Sequence, residues 1–280
     1  MSVMKSDMLA VPGAHIYYEV RGTGPLLLVS QGGEGDAGRT GGLVTRLAAD
    51  HTVVTYDRRG LSRSTPDDPA SPLTMETHAD DVHRLLAALT AEPAIVFGSS
   101  FGGLVGLSLA ARHPHQIGTL VTHEPPAVRL LPEPARAGTE RVLDELEETY
   151  RGEGWGAAFK KLAEITGSGS EGREPDVELP PPLSKERIAN MKFFFSYDIP
   201  AVRRCEVDVA DVAGLKDSQV RVVPAAGLTS SREFFHFQCV QELARILGTG
   251  VAEFPGGHNG PTTHPKAFAV RLREVLRECP

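Results

Sequence analysis

Apolar runs and amphipathic segments alternate along the first part of the chain. Residues 14–20 roughly alternate apolar and polar side chains, which predicts an edge strand of a hairpin. Residues 26–29 form a continuous apolar run, as expected of a strand buried on both faces. The pattern also predicts strands at 51–56, 94–97 and 117–122, and helices at 41–49, around 82–89 and at 104–112. Such regular alternation predicts a parallel sheet with helices on both faces.

The alternation stops between Pro125 and about Ala213, where helical segments are separated by loops. Helices are predicted at 139–150, 155–165 and 185–197, with a proline-rich break at 179–182. Strands then return at 219–223 and 250–254, and helices at 232–247 and 265–278. The helical insertion is either a cap over the site or a subdomain remote from it.

Composition and charge narrow the class of protein. The chain has 280 residues, of which 41% are hydrophobic and 23% charged, as in a soluble globular protein. A net charge of −7 without a basic stripe argues against nucleic acid as a partner. Neither a long apolar span nor a secretory h-region is present, which predicts a cytoplasmic protein that does not enter a membrane. The three cysteines predict reduced thiols rather than disulfides or a metal site.

A G-x-S-x-G motif lies at the junction of the 94–97 strand and the helix that follows it. A strand that turns directly into a helix needs a sharp corner, and Gly98 and Gly102 let the two elements crowd it. Ser100 would then be exposed at the tip of the corner. We interpret Ser100 as a nucleophile; the alternative is an ordinary glycine turn.

A serine hydroxyl needs a base to become a nucleophile at neutral pH, and His258 is the predicted base. Functional groups of doubly wound sheets collect in loops at the C-terminal ends of strands. His258 follows the last predicted strand and is flanked by glycines. His236 falls in a predicted helix and could at most face the pocket. The remaining candidates are interpreted as surface or capping residues: His51, His78, His83, His113, His115 and His264.

The acid that orients the histidine is predicted at Glu124, after the 117–122 strand. The loop after the penultimate strand, taken as 224–231, contains no carboxylate, and Glu233 is expected one step into the next helix, pointing away. Glu124 ends a strand next to that of Ser100, and the prolines after it stiffen its turn. Its alternative role is a structural carboxylate that caps local amides. His123 is expected to be structural, since strand alternation points it away from Glu124.

An oxyanion hole requires backbone donors close to the developing charge. The amide of Phe101 follows the nucleophile at the start of a helix and supplies one donor. The second is expected from Gly32 or Gly33, in the glycine-rich loop after the 26–29 strand. Gln31 precedes these glycines and could place its side-chain amide near the site.

These motifs, taken in order, resemble an α/β-hydrolase along nearly the whole chain. The resemblance implies an α/β, mostly parallel, doubly wound eight-stranded sheet, with a core of residues 1–125 and 214–280 and a helical cap of 126–213 inserted after the sixth strand. Six stretches narrow the resemblance further: Gly22-Thr23-Gly24-Pro25, His123-Glu124-Pro125, Ala225-Ala226-Gly227, Phe234-Phe235, Phe254-Pro255-Gly256-Gly257-His258 and His264-Pro265. They resemble the zearalenone lactonases, and this resemblance implies a Ser–His–Glu triad of Ser100, His258 and Glu124.

The main hypothesis is therefore a hydrolase of esters or lactones that uses neither a cofactor nor a metal. Its predicted substrate is a small molecule, and the resemblance implies a large aromatic lactone such as zearalenone, a mycotoxin. Phe194, Tyr197 and Trp155 could give flat contact area to such a substrate, or could instead form the core of the cap. Four alternatives stay open: hydrolysis of a carbon–carbon bond, another carboxylesterase activity, cofactor-free peroxidation, and ligand sensing without turnover. Whether the protein forms a homodimer also stays open.

Overall fold

The computed structural model describes residues 4–168, 172–177 and 183–278. The predicted break at 179–182 and Cys279 lie outside these residues. Cys205 and Cys239 are buried free thiols. No helix within the described ranges combines the length and apolar character needed to cross a bilayer.

A mixed, mostly parallel sheet forms the centre of the fold. In the described part of the chain its order is β1-β2-β4-β3-β6-β7-β8-β9, and the two-residue β5 pairs with β2. β2 pairs antiparallel with β1, β4 and β5. The neighbours in the series β4-β3-β6-β7-β8-β9 all pair in parallel. The prediction of an edge strand at 14–20 was wrong, because β1 pairs along its outer side. The strands are β1 (Lys5–Val11), β2 (Ala14–Arg21), β3 (Leu26–Ser30), β4 (Thr52–Tyr56), β5 (Thr65–Pro66), β6 (Ala94–Ser99), β7 (Ile117–His123), β8 (Arg221–Gly227) and β9 (Ala252–Phe254).

Helices cover both faces of the sheet, as the alternation predicts. The strand residues Leu27 and Val29 pack with helices α1 and α11, whereas Leu28 faces α2 and α3 on the other side. Successive side chains of a strand point to opposite faces, so a continuous apolar run fits this double burial. The helices are α1 (Gly41–Leu47), α2 (Met75–Leu89), α3 (Phe101–Arg112), α4 (Ala135–Glu153), α5 (Trp155–Thr166), α6 (Lys185–Phe193), α7 (Ile199–Arg204), α8 (Val209–Gly214), α9 (Phe235–Leu247), α10 (Gly260–Thr263) and α11 (Pro265–Arg277).

The helical insertion follows β7, which is the sixth strand when the two-residue β5 is left aside. Its helices α4 to α7 contribute side chains above the C-terminal ends of the strands, where Phe159 and Phe194 line a cavity with Ser100. The predicted helix 185–197 is interrupted. It ends at Phe193, and a wider π-helical turn, Phe194–Asp198, leads into α7. The cap boundaries at residues 126 and 213 stay a prediction.

The predicted boundaries near the acid-free loop also change. β8 extends to Gly227, so residues 224–227 belong to a strand and not to a loop. Helix α9 begins at Phe235, so Glu233 precedes the helix instead of lying inside it. Glu233 is exposed.

Candidate active site

Ser100 lies at the corner between β6 and α3, in a backbone conformation that is rare for a residue with a side chain. Its φ is +51°. A Cβ on Gly98 would collide with the Gly102 carbonyl oxygen, and one on Gly102 would collide with the Ser30 carbonyl oxygen. The glycines are therefore required by close approach of backbone, as predicted. The helix begins at Phe101, three residues earlier than expected, directly after the serine.

His258 and Glu124 are hydrogen-bonded. Nδ1 of His258 lies 2.7 Å from Oε2 of Glu124, whose side chain is fully buried. The other carboxylate oxygen, Oε1, accepts a hydrogen bond from the Gly227 amide at 2.9 Å, and the Glu124 amide donates to the Ala225 carbonyl at 2.9 Å. The extension of β8 to Gly227 thus holds the glutamate in place. Like Ser100, Glu124 has a positive φ, +49°.

A second histidine, His236, shares the same carboxylate oxygen. Its Nε2 lies 3.1 Å from Glu124 Oε2, and its ring centre is 4.5 Å from that of His258. Within the described residues neither ring nitrogen of His236 has a hydrogen bond of good geometry, and the side chain is 1% exposed. The sequence placed His236 in a helix that could at most face the pocket. In the structure it does face the pocket, since it lines a cavity together with Ser100 and His258, and it also contacts Glu124.

The charges around Glu124 favour its ionised form. Burial by itself would raise the pKa of this carboxyl. The contacts from His236 and His258, with the charge interactions of His123 and His258, outweigh burial and hold the pKa of Glu124 well below its usual range. Burial lowers the pKa of His236, as does the neighbouring His258, and both favour the neutral ring. An ionised carboxylate hydrogen-bonded to a ring nitrogen can hold an imidazole in one tautomer.

His123 is buried, as expected of a structural residue. Its ring packs against Phe254 and Phe268, with ring centres 6.2 and 5.5 Å away. Neither of its ring nitrogens has a hydrogen-bond partner among the described residues. Burial is the main cause that lowers the pKa of His123, to about 4.

The predicted oxyanion loop lies against the serine. A Cβ on Gly32 would be 3.1 Å from the Cβ of Ser100. Arg58 donates to the Gln31 carbonyl at 2.9 Å and to the Gly33 carbonyl, while the Gly35 amide donates to the Gly32 carbonyl at 3.0 Å. Because a peptide group is planar, fixing the carbonyls of Gln31 and Gly32 also fixes the amides of Gly32 and Gly33. At the other side of the serine, Phe101 begins α3, and amides in a first helical turn lack intrahelical partners.

Arg58 belongs to a buried network that sequence analysis did not predict. Its guanidinium binds Asp198 Oδ2 at 2.9 Å and lies 4.5 Å from the centre of the Phe101 ring. Nε2 of His78 lies 3.2 Å from Asp198 Oδ1. The interpretation of His78 as a surface or capping residue was wrong, because its side chain is 2% exposed and contacts this aspartate. The network joins the π-helical turn of the cap to the loop beside Ser100.

Two adjoining cavities meet at Ser100 and His258. The first, of about 760 Å³, is lined by Gln31, Gly32, Gly33 and Phe194 together with polar side chains. The second, of about 470 Å³, is mostly apolar, and Phe194 lines both cavities. Its apolar lining consists of Phe101, Pro126, Leu143, Leu146, Leu162, Ile165, Phe194, Ile199, Val202 and Phe235.

Of the four residues predicted to contact substrate, Gln31 and Phe194 line the first cavity. Gln31 is held by a hydrogen bond from its Nε2 to Thr40 Oγ1 at 2.8 Å. Trp155 and Tyr197 line neither cavity. Tyr197 stacks on Phe193 with ring centres 4.6 Å apart, and Trp155 packs on the apolar core at the start of α5. Tyr197 lies inside the π-helical turn, whose winding is wider than that of the α-helix predicted here.

Comparison with known proteins identifies the family. The family described as alpha/beta hydrolase fold matches residues 24–152. Over 276 residues the chain is 38% identical to a Bacillus subtilis (strain 168) protein named uncharacterized hydrolase YraK, covering 98% of this chain and 97% of that protein. The chain belongs to the α/β-hydrolase fold family.

Solved structures resemble this α/β-hydrolase in fold. The enol-lactonase from Burkholderia xenovorans LB400 superposes with a TM-score of 0.70 at 23% identity, covering 97% of this chain and all of that one. Est816, described as an N-acyl homoserine lactone degrading enzyme, gives a TM-score of 0.69 at 21% identity, with 96% and 99% covered. At these identities the likeness concerns the fold.

The same trio of side chains could also offer atoms to a metal. Ligand atoms of Glu124, His236 and His258 all lie within 4.8 Å of one another in this α/β-hydrolase. A cation between them would have to displace the hydrogen bond between His258 and Glu124. Hydrogen bonding and burial already account for the grouping, so the trio does not require a metal.

Proposed function

We propose that this α/β-hydrolase is a cofactor-independent serine hydrolase that cleaves an ester or lactone through an acyl-enzyme. The observation that carries the proposal is the His258–Glu124 hydrogen bond of 2.7 Å, in a cavity that Ser100 and His258 line together. A buried carboxylate keeps the imidazole in the tautomer that accepts a proton at its other nitrogen. Ser100, His258 and Glu124 are thus nucleophile, base and orienting acid.

The reaction follows from these positions. Ser100 Oγ attacks the carbonyl carbon while His258 Nε2 takes the hydroxyl proton, and the carbonyl oxygen becomes an oxyanion. The amide of Phe101 and that of Gly32 or Gly33 donate hydrogen bonds to this oxygen; losing one such donor typically costs about 10²- to 10³-fold in rate. His258 then gives the proton to the departing alkoxide. In the second half-reaction His258 activates water, which releases the acid and restores Ser100.

The cavities support a substrate with a sizeable apolar portion. The apolar cavity beside Ser100 suits an alkyl or aryl group, and Phe194 offers a ring face to both cavities. Two structural neighbours are lactone-cleaving enzymes by their names, which supports a lactone here. The finer proposal, an aromatic macrolactone such as zearalenone, rests on the likeness of the stretches around Glu124 and His258 to zearalenone lactonases.

A mass-spectrometric panel tests the function. Wild-type protein, Ser100→Ala and Glu233→Ala are each incubated with acyl esters, small lactones and zearalenone, and the acid or hydroxy-acid products are measured. We expect products with wild type and with Glu233→Ala, and none above background with Ser100→Ala. Equal turnover by Ser100→Ala would refute the mechanism. Tight binding of these compounds without turnover by wild type would identify a sensing protein instead, and activity on other lactones alone would exclude only zearalenone.

A further inference from the structure

Arg39 lies in the first cavity, between the oxyanion loop and helix α1. It lines this cavity together with Ser100, His258 and Gln31. Its aliphatic stem crosses Gly35, because a Cβ on that glycine would be 3.0 Å from Arg39 Cγ. The loop therefore directs this side chain along the cavity wall. Nothing in the ester-hydrolysis mechanism uses it.

The guanidinium of Arg39 is partly buried. Among the residues that the structure describes, no side chain forms an ion pair or a hydrogen bond with it. Glu34 lines the same cavity, but its Oε1 is bound by Arg187 through two hydrogen bonds of 3.0 and 2.8 Å. Asp36 lies nearby, and its carboxylate accepts from the Gly38 amide at 3.0 Å and from Ser62 at 3.1 Å.

This isolation has an electrostatic cost. Burial is the main cause that lowers the pKa of the Arg39 guanidinium, and Arg187 lowers it further. Glu34 and Asp36 act in the opposite direction without reaching ion-pair distance. A guanidinium stays charged in proteins, and burying a charge without a partner is unfavourable. An anion entering the cavity would remove that penalty and would meet donors arranged for a carboxylate.

We propose that Arg39 binds a carboxylate of the substrate, so that the site takes an ester or lactone bearing an anionic group. The proposal rests on the serine-hydrolase function. The carboxylate would lie in the first cavity against Arg39, the ester carbonyl at Ser100, and an apolar portion in the second cavity. The preferred substrate is therefore an ester that carries a carboxylate and not a neutral macrolactone.

Two matched pairs of esters test the proposal. In one pair the carboxylate is in the acyl portion: mono-4-nitrophenyl glutarate against 4-nitrophenyl pentanoate. In the other it is in the alcohol portion: 4-carboxyphenyl butyrate against phenyl butyrate. The kcat/KM ratio of anionic to neutral ester is measured for wild type, Arg39→Gln, Arg39→Lys and Arg141→Gln. Comparing ratios between proteins cancels the intrinsic reactivity of each ester. Arg141 is an exposed arginine on α4 and serves as the matched control.

We expect the ratio to fall by about 10- to 100-fold in Arg39→Gln for one of the two pairs, the scale of a lost charged hydrogen bond. Arg39→Lys should retain part of the preference, and Arg141→Gln should match wild type. An unchanged ratio in Arg39→Gln for both pairs would overturn the proposal while leaving the hydrolase function intact. Failure of Ser100→Ala to stop hydrolysis would instead overturn the function itself.

A measurement on the wild-type protein tests the proposal even if an Arg39 variant does not fold. Glutarate monoamide, which keeps one carboxylate, and glutaramide, which has none, are compared as competitive inhibitors of wild-type hydrolysis of the neutral esters. We expect the anionic compound to inhibit at a concentration about tenfold lower or more, with the difference shrinking as salt is added. Equal inhibition by the two compounds would count against the carboxylate site.

Discussion

Nε2 of His236 lies 3.1 Å from Oε2 of Glu124, the oxygen that Nδ1 of His258 contacts at 2.7 Å. One carboxylate oxygen therefore lies close to two buried rings, of which only His258 acts as the base in the proposed mechanism. A neutral neighbour that shares the carboxylate reduces the charge available to stabilise a protonated His258. His236 is accordingly a positioning residue that tunes the base.

Replacing His236 with phenylalanine should shift the pH dependence of activity. With Glu124 facing His258 alone, the carboxylate stabilises the imidazolium more strongly. We expect the acidic limb of the kcat/KM profile to move to higher pH by roughly half a unit to one unit. His83→Phe, at a histidine that stacks on His113 and lies outside both cavities, is the matched control. Superimposable profiles for His236→Phe and wild type would assign His236 to packing alone.

Glu124 should be indispensable for turnover, and Glu233 should not. Glu124→Gln keeps the shape of the side chain but loses the charge that holds the His258 tautomer. We expect kcat to fall by about 10³- to 10⁴-fold, as for the acid of other triads. Glu233 is exposed and precedes α9, so Glu233→Gln should retain activity. Steady-state kinetics on one ester decide the matter: a large loss confined to Glu233→Gln would mean that the acid was wrongly assigned.

The buried Arg58–Asp198 pair should matter for both stability and rate. Asp198→Asn leaves the Arg58 charge buried without its partner, and such a loss typically costs about 3–5 kcal/mol of unfolding free energy. Arg58 also holds the carbonyls of Gln31 and Gly33, so kcat should fall as the oxyanion loop loosens.

Asp80→Asn provides the comparison for Asp198→Asn, because Asp80 pairs with Arg112 at 3.1 Å where both side chains are about 40% exposed. Its loss should cost no more than about 1 kcal/mol. Urea denaturation and steady-state kinetics measure the two effects. If Asp198→Asn proved as mild as Asp80→Asn in both, the network would have no role in positioning the loop.

His123 should make the fold sensitive to mild acid. Its pKa of about 4 in the folded protein lies below the value of 6.5 expected when unfolded. The unfolded chain thus binds more protons in this window, and the unfolding free energy falls as pH drops from about 6.5 toward 4, by at most about 1.4 kcal/mol per pH unit. The contribution is complete above about pH 6.5.

His123→Leu should therefore flatten the decline of stability between about pH 7 and 5, a range that stays above the titration of carboxylates. The exposed His15 gives the control His15→Leu, which should follow wild type. Urea denaturation at a series of pH values measures the slope. An unchanged slope in His123→Leu would show that this ring does not carry the acid sensitivity.

The sequence predicted best where a local pattern dictates the backbone. Gly98 and Gly102 require the strand-to-helix corner whatever surrounds it, and they located Ser100 there. The absence of a carboxylate after the penultimate strand pointed to Glu124, whose side chain contacts His258 even though β8 ends later than predicted.

Contacts between distant parts of the chain could not be predicted in this way. The side of α9 that His236 occupies depends on where the helix begins, and the predicted start was three residues too early. Asp198 meets Arg58 across 140 positions of sequence, and it does so from a π-helical turn that helical periodicity does not reveal. In the same turn Phe194 lines the cavity, whereas Tyr197 stacks on Phe193.

The central claim is that Ser100 forms a covalent acyl intermediate, and rapid-quench mass spectrometry tests it most directly. Wild-type protein is mixed with 4-nitrophenyl butyrate, quenched in acid within milliseconds and digested, and the peptide containing Ser100 is examined. We predict a butyryl group on Ser100 in wild type, a larger acylated fraction in Glu124→Gln if deacylation is the slower step, and none in Ser100→Ala, which should also lose hydrolysis. A butyryl group on a different residue would contradict the account, and so would hydrolysis by Ser100→Ala at the wild-type rate.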